Sequence, residues 1–280
     1  MIDIHSHIMP EIDDGARSLE ESLEMARVAA EDGIEYIVST PHMFNGLSSN
    51  PEPSEIVDRV AALNAAIGKN GPQILPVNEV HISHEIVEQA KSNRITRINQ
   101  RNYMLVEFPQ FSIPVGSDEL FARLIAEGIR PILVHPERNA QIQINPPTIV
   151  KLIELGVLVQ CTAMSVTGEF GPGAKLCADA LLRHDCIHFL ATDAHRTKSR
   201  PPILSRARAI ENQCFLASSN CVGVNRGRQF CGHSVVVDPW GTILASGGDE
   251  ECLVAAEVDL AAVEEARQRF PAFTDRRLPV

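Results

Sequence analysis

Along the first two hundred residues, hydrophobic positions alternate between two rhythms. Apolar runs cover residues 1–8, 34–40, 74–80, 103–107, 129–134, 157–162 and 187–192. Runs like these predict strands buried on both faces. Between them apolar residues fall at helical spacing. Leu19, Leu23 and Ala26 follow the capping box Ser18-Leu-Glu-Glu21 up to Gly33, and Ile56, Val60, Leu63 and Ile67 mark one face of 54–67. Further helices are predicted over 85–91, 118–128, 146–156 and 172–184. This alternation predicts an α/β fold of parallel strands with right-handed helical crossovers, closed into a barrel or wound open.

In such folds functional side chains gather at the carboxyl ends of the strands. Here the strand ends carry His5 and His7, then His42, Glu79, Glu107, His135, and finally Asp193 with His195. Strand alternation places His5 and His7 on one face. A lone histidine at a strand end is more often a satisfied structural residue. Six of the seven ends bearing His, Asp or Glu are poorly explained that way, because burying so many ionisable groups without a cation is costly. Imidazole and carboxylate without thiolate suit Mn²⁺, Fe, Zn²⁺ or Mg²⁺ in a multinuclear hydrolytic site. Asp13 and Asp14 fit a helix cap, and one of them also fits a ligand. Arg138 and Arg200 follow ligand-bearing strand ends; beside a metal cluster, two guanidinium groups make a clamp for a phosphate. His81 and His84 are expected to face solvent, and His184 and His188 lie at the wrong end of their strand.

Net charge narrows the field. At −11 over 280 residues, a broad basic surface for nucleic acid or an anionic membrane is excluded. The seven cysteines form no C-x-x-C pair, which favours thiols in a reducing compartment over a disulfide framework. With no leader-like N-terminal pattern and no run of membrane-spanning length, the expected location is cytoplasmic, with no membrane insertion. There is no Walker loop, dinucleotide fingerprint or His-Glu-x-x-His.

The rhythm changes near Pro201-Pro202, and no lysine follows Lys198. A helix is predicted over 205–212. Strands are predicted over 214–219, 233–245 (a hairpin turning at Asp238-Pro-Trp-Gly241) and 253–258, and a closing helix over 261–270.

Ile2-Asp-Ile-His-Ser-His-Ile8, Ile12-Asp-Asp-Gly15, Ser39-Thr-Pro-His42, Glu79, Val106-Glu-Phe-Pro109, His135-Pro-Glu-Arg138, Gly168-Glu-Phe-Gly171 and Thr192-Asp-Ala-His195 with Arg200-Pro201 resemble the PHP-type metal-dependent phosphoesterases. Within these, residues 1–204 look most like the bacterial capsule and exopolysaccharide protein-tyrosine phosphatases. The resemblance implies a distorted (β/α)7 barrel with three divalent ions, manganese foremost. Its ligands would be His5, His7, Asp14, His42, Glu79, Glu107, His135, Asp193 and His195, with Glu79 bridging two ions and Arg138 and Arg200 holding the phosphoryl group. The implied substrate is a phosphotyrosyl protein, a bacterial tyrosine autokinase. Val77-Asn78 departs from the family pattern and puts the backbone before Glu79 in question.

In residues 205–280, Arg206-Ala-Arg-Ala-Ile-Glu-Asn-Gln213, Gly232-His-Ser-Val235, Asp238-Pro-Trp-Gly241 and Ala256-Glu-Val-Asp-Leu260 resemble the C-terminal part of a nitrilase-type carbon–nitrogen hydrolase, a fragment of a sandwich fold. That family works with a Glu-Lys-Cys triad, which a lysine-free tail cannot supply. The chain reads as a natural or artificial chimera with its seam between about Arg200 and Arg206. The helix near the seam would replace the last barrel helix, and the remainder would pack poorly or pair with another copy through open strand edges. Three competing readings are a phosphatase for a small ester such as histidinol phosphate, a carbon–nitrogen hydrolase (disfavoured by the absent triad) and an inactive fusion.

Overall fold

In the computed structural model, residues 1–46, 50–98, 102–225 and 228–270 are described. Strands β1 (Ile2–Ser6), β2 (Tyr36–Ser39) and β4 (Gln73–Pro76) pair in parallel, as do β3 (His42–Met43), β5 (Glu79–His81), β6 (Tyr103–Glu107), β7 (Arg130–Val134), β8 (Leu158–Thr162) and β9 (Phe189–Ala191). The two sheets are continuous. Pro41 interrupts the strand that β2 and β3 share, since it has no N–H to give, yet Glu79 N still donates to Pro41 O (3.2 Å). At the other edge, His7 N donates to Ala194 O and Asp193 N to His5 O, both at 2.8 Å. Parallel pairing thus returns from the end of β9 to β1.

Strand alternation explains why these runs are apolar throughout. Leu105, Ile132 and Val134 join Val38 and Val77 in an inner cluster, while their neighbours Met104, Val106 and Leu133 point outward into another. The outer faces are covered by α1 (Leu19–Glu31), α2 (Pro53–Ile67), α3 (Ile86–Lys91), α4 (Ser117–Ala126), α5 (Ala140–Ile144), α6 (Val150–Glu154), α7 (Ala163–Thr167) and α8 (Pro172–Arg183). Ser18 caps α1 by accepting from Glu21 N, and Met25, Ala26 and Ala29 are buried. Each large apolar side chain removed from water in this way contributes about 1.5–3 kcal/mol.

Two predicted elements divide. The run 74–80 is broken at Val77-Asn78: Asn78 N donates to Thr96 O, and Asn78 Oδ1 accepts from Thr96 N (3.0 Å), so a loop takes its ladder bonds. Residues 146–149 form a 3₁₀ turn (Pro146–Ile149) that leads directly into α6.

Beyond Arg200, α9 (Ser205–Asn212) packs on α7 and buries Ala207 and Ala209. Its N-terminus is capped from outside the tail: Asp32 Oδ2 accepts from Leu204 N (2.6 Å) and Ser205 N (3.0 Å). Then come β10 (Leu216–Ser218), β11 (Val222–Asn225), β12 (Arg228–Cys231), β13 (Val235–Val237), β14 (Ile243–Ser246) and α10 (Leu260–Arg269). The order β10-β13-β14 is antiparallel, and β11 pairs with β12 in a hairpin not foreseen from sequence. The hairpin predicted at Asp238–Gly241 is present, with Asp238 Oδ1 accepting from Trp240 N and Thr242 N. The strand predicted over 253–258 does not form: that stretch has no ladder partner, and Leu253 is 93% exposed. The closing helix ends before the undescribed C-terminal residues.

Candidate metal centre

The strand ends bring all nine candidate ligands into one cluster. His5 Nε2 and His7 Nε2 face each other at 3.3 Å. Both lie 3.2–3.3 Å from Glu79 Oε2 and 3.4 Å from Asp193 Oδ1. Glu79 Oε2 is also 3.0 Å from His42 Nδ1, while Glu79 Oε1 is 2.7 Å from His135 Nε2. Glu107 Oε1 stands 3.4 Å from His42 Nδ1, and Asp14 Oδ1 lies 3.5 and 3.4 Å from His42 and His195 Nε2. Four overlapping groups of ligating atoms result: His7-Asp14-His42-His195, His5-His7-Asp193, His5-Glu79-His135 and His42-Glu79-Glu107. Glu79 is shared by two of them.

Local backbone explains the convergence. His135 (φ 37°) and Asp193 (φ 51°) sit in the left-handed region, which turns each side chain inward as its strand ends. Such conformations cost about 1–3 kcal/mol and persist only where the surroundings hold them. Here His135 N is tied to Gln160 O and Asp193 N to His5 O. At Gly15 a Cβ would stand 2.1 Å from His7 O, so only glycine lets the Asp13-Asp14 loop lie against β1.

Several supporting residues were not identified from sequence, and Asp13, read there as a helix cap or ligand, instead backs His7 while Ser18 caps α1. Gln160 Oε1 is 2.9 Å from His5 Nδ1, and Asp13 Oδ2 is 2.7 Å from His7 Nδ1. With those acceptors the Nδ1 atoms carry the protons, and the Nε2 lone pairs of neutral rings are aimed at the cluster. The available signal for Gln160 is a polar residue inside an apolar run. Asp3 is fully buried, accepts from Thr192 N and Oγ1, and burial pushes its carboxyl up to about 6. Glu137 Oε1 accepts from Thr162 N and Ser165 Oγ, fixing the turn between His135 and Arg138. His81 was expected to face solvent; instead its Nδ1 lies 3.3 Å from Glu107 Oε1. His84 is exposed, as expected, and His184 and His188, away from the cluster, are exposed too.

The donor set fits divalent cations. Glu79 Oε2 and His42 Nδ1 are buried with no hydrogen-bond partner, and two imidazole lone pairs meet at 3.3 Å. Neutral rings and ionised carboxylates this close lack positive charge between them. Protons partly supply it: burial disfavours charge on His5, His7 and His42, yet Glu79 and Asp193 raise His5, Asp13 raises His7, and Glu79 and Asp14 raise His42. Glu79 is held low against its burial by His5 and His42, and Asp193 by Arg200, His5 and Arg138. His195 differs, since burial and the neighbouring His7 charge lower it to about 4.

Beside the cluster opens a cavity of about 280 Å³, with Asp14, His42, Glu107, Arg138 and Arg200 in its wall. Both guanidinium groups bond Asp193 Oδ2, the oxygen turned away from His5 and His7. A larger cavity (about 460 Å³) lies between α8, α9 and α10. None of the four ligating groups adjoins it, so the chemistry belongs to the smaller one.

Parallel strands ending in an imidazole–carboxylate cluster, flanked by two guanidinium groups over an open cavity, define a metal-dependent hydrolase. The capsular polysaccharide synthesis CpsB/CapC family model matches residues 1–216, and the chain belongs to that family. It is similar to tyrosine-protein phosphatase YwqE of Bacillus subtilis (38% identity over 202 residues, 71% of this chain and 79% of that protein). It is also similar to tyrosine-protein phosphatase CpsB of Streptococcus pneumoniae (29% over 215 residues, 74% and 88%). A solved structure from work on YwqE and CpsB, described as unique metal-dependent tyrosine phosphatases, matches with TM-score 0.72 at 36% identity, covering 76% of this chain and 86% of that one. A carbon–nitrogen hydrolase model matches residues 181–268. A stretch of 71 residues, 25% of this chain, is 55% identical to 2-oxoglutaramate amidase of Bacillus subtilis, spanning 27% of the amidase.

Proposed function

We propose that this protein is a metal-dependent phosphomonoesterase that hydrolyses phosphotyrosine in proteins, on a PHP-type (β/α)7 barrel formed by residues 1–204. Residues 205–280 are an appended nitrilase-like segment without the lysine an amidase triad needs. The observation that carries this reading is the meeting of nine imidazole and carboxylate side chains beside two arginines at one cavity. His5, His7, Asp14, His42, Glu79, Glu107, His135, Asp193 and His195 are the proposed ligands of three divalent ions, manganese foremost, with Glu79 shared between two. Bound there, divalent ions supply an acidic water near neutral pH and positive charge opposite the developing phosphoryl charge.

The chain's own groups do the rest. Arg138 and Arg200 line the cavity with donors that match phosphoryl oxygens in number and geometry, and Asp193 pre-aligns both. Gln160 and Asp13 hold the His5 and His7 rings so that Nε2 faces the cluster. Asp14, two-thirds exposed, stands at the cavity mouth, where entering substrate meets it first. None of these roles requires a covalent phosphoenzyme.

A phenol has an ordinary pKa near 10, well below that of an alkyl alcohol, so a phenolate departs without a proton donor. Aryl esters are accordingly the substrates that this constellation cleaves without a general acid. The proposed physiological substrate is a bacterial tyrosine autokinase in the cytoplasm; no helix among the described residues is long and apolar enough to cross a membrane. Rates on a phosphotyrosyl peptide and on a small alkyl phosphate such as histidinol phosphate test the reading. The peptide is expected to turn over at least about tenfold faster, one such factor corresponding to about 1.4 kcal/mol of barrel-site discrimination. A faster alkyl ester would give the site to a small-metabolite phosphatase instead.

A further inference from the structure

Two guanidinium groups at the cavity share a single carboxylate oxygen, Asp193 Oδ2. Glu137 and Glu79 also attract the Arg138 charge, and Arg200 Nε is buried without a hydrogen-bond partner. A further source of negative potential, facing both guanidinium groups, is an aromatic ring. Arg138 Cζ stands 4.7 Å and Arg200 Cζ 5.4 Å from the centroid of Phe170. Both distances are within cation–π range, where the ring face attracts a guanidinium electrostatically and by stacking. Phe170 is half-buried and lies outside the cavity wall, so it backs the arginines and leaves the phosphoryl seat clear.

The loop carrying this ring is anchored at both sides. Gly168 (φ 90°) and Gly171 (φ 89°) take left-handed backbone on either side of Glu169-Phe170, a bend that only glycine adopts readily. Glu169 Oε1 accepts from Arg206 at 2.6 Å, and Arg206 Nε donates to Gly241 O at 2.9 Å. Arg206 belongs to α9, and Gly241 to the β13–β14 turn of the tail. A chain of direct contacts therefore runs from the appended segment through Glu169 to the ring behind both arginines.

We propose that Phe170 is a positioning residue that sets Arg138 and Arg200 for phosphoryl binding, and that the Arg206–Glu169 pair lets the C-terminal segment brace it. This rests on the reading of the two arginines as phosphoryl ligands. The test uses the full chain, metal-loaded, with p-nitrophenyl phosphate as substrate and inorganic phosphate as inhibitor. Phe170→Leu keeps apolar volume and removes the ring; it is expected to raise KM and the phosphate inhibition constant together, by about five- to thirtyfold. Phe170→Tyr restores the ring and should return both to within about twofold of the parent, a rescue that bulk packing alone does not give to one and deny to the other. Bound metal, measured on each variant, is expected to be unchanged. Arg206→Ala sits on a half-exposed pair and should move the same constants about two- to threefold. Arg138→Ala is the reference variant. If Arg138→Ala weakens phosphate and Phe170→Leu does not, positioning by Phe170 is wrong while the proposed function stands. If Arg138→Ala also leaves phosphate binding unchanged, the arginine clamp itself is wrong and Phe170 goes with it.

Discussion

Asp193 joins the two halves of the site. One oxygen faces His5 and His7 and the other holds Arg138 and Arg200, so a single carboxylate ties the proposed metals to the proposed phosphoryl clamp. His42 is comparably placed, with Nδ1 toward Glu79 and Glu107 and Nε2 toward Asp14. Asp193→Ala and His42→Ala are each expected to lower kcat on p-nitrophenyl phosphate by about 10²–10³-fold or more while far-UV circular dichroism stays that of the parent. Full activity with unchanged metal content in either variant would contradict the ligand assignment. The titration behaviour gives a second check. His5, His7 and His42 are raised above 6.5, so the ion-free cluster carries protons that cations must displace. The sign follows: their contribution to stability is present below pH 6.5 and is lost as pH rises through the raised values. The rise in Tm on adding Mn²⁺ is therefore expected to grow from pH 6.5 to pH 8.5 in differential scanning fluorimetry. A rise that shrinks over that window would count against proton–metal exchange.

At the scale of elements, periodicity located the strands and the longer helices of the first two hundred residues, because strands buried on both faces leave long apolar runs, but the five-residue helices α5 and α7 were not foreseen. What it missed depended on tertiary partners. The division of 74–80 comes from Thr96, eighteen residues from Asn78, taking its ladder bonds. The stretch 253–258 is apolar enough to pair but takes no ladder partner among the described residues. The site was legible because its ligand types sit at strand ends; Gln160, Glu137 and the ring of Phe170 were not, since their roles depend on what faces them. The tail divides by the same reasoning. α9 is buried against α7 and capped by Asp32, whereas 248–258 has no regular structure and much of it is exposed. In a demonstrated monomer, limited Glu-C proteolysis is expected to cut at Glu250, Glu251 or Glu257 well before any site in residues 1–204. A tail as resistant as the barrel would show that its strands are packed more firmly than their exposure suggests.

For the whole molecule, the CpsB/CapC and carbon–nitrogen hydrolase matches overlap between residues 181 and 216, across β9, the last proposed ligands and α9. The overlap fits a tail that enters the fold through one helix: α9 fills the place beside α7, and Arg206 reaches back toward the arginine-bearing face. All nine proposed ligands and both arginines precede α9 in the chain, so the proposed chemistry needs no ligand from the tail. The central claim is that the strand-end cluster holds divalent ions for phosphate-ester hydrolysis. It is tested most directly by measuring bound metal and phosphotyrosyl-peptide turnover on the same preparation, before chelation, after chelation and after restoring Mn²⁺. The account predicts more than one ion per chain, loss of turnover with the ions and its return with Mn²⁺; undiminished turnover by fully metal-free protein would contradict it.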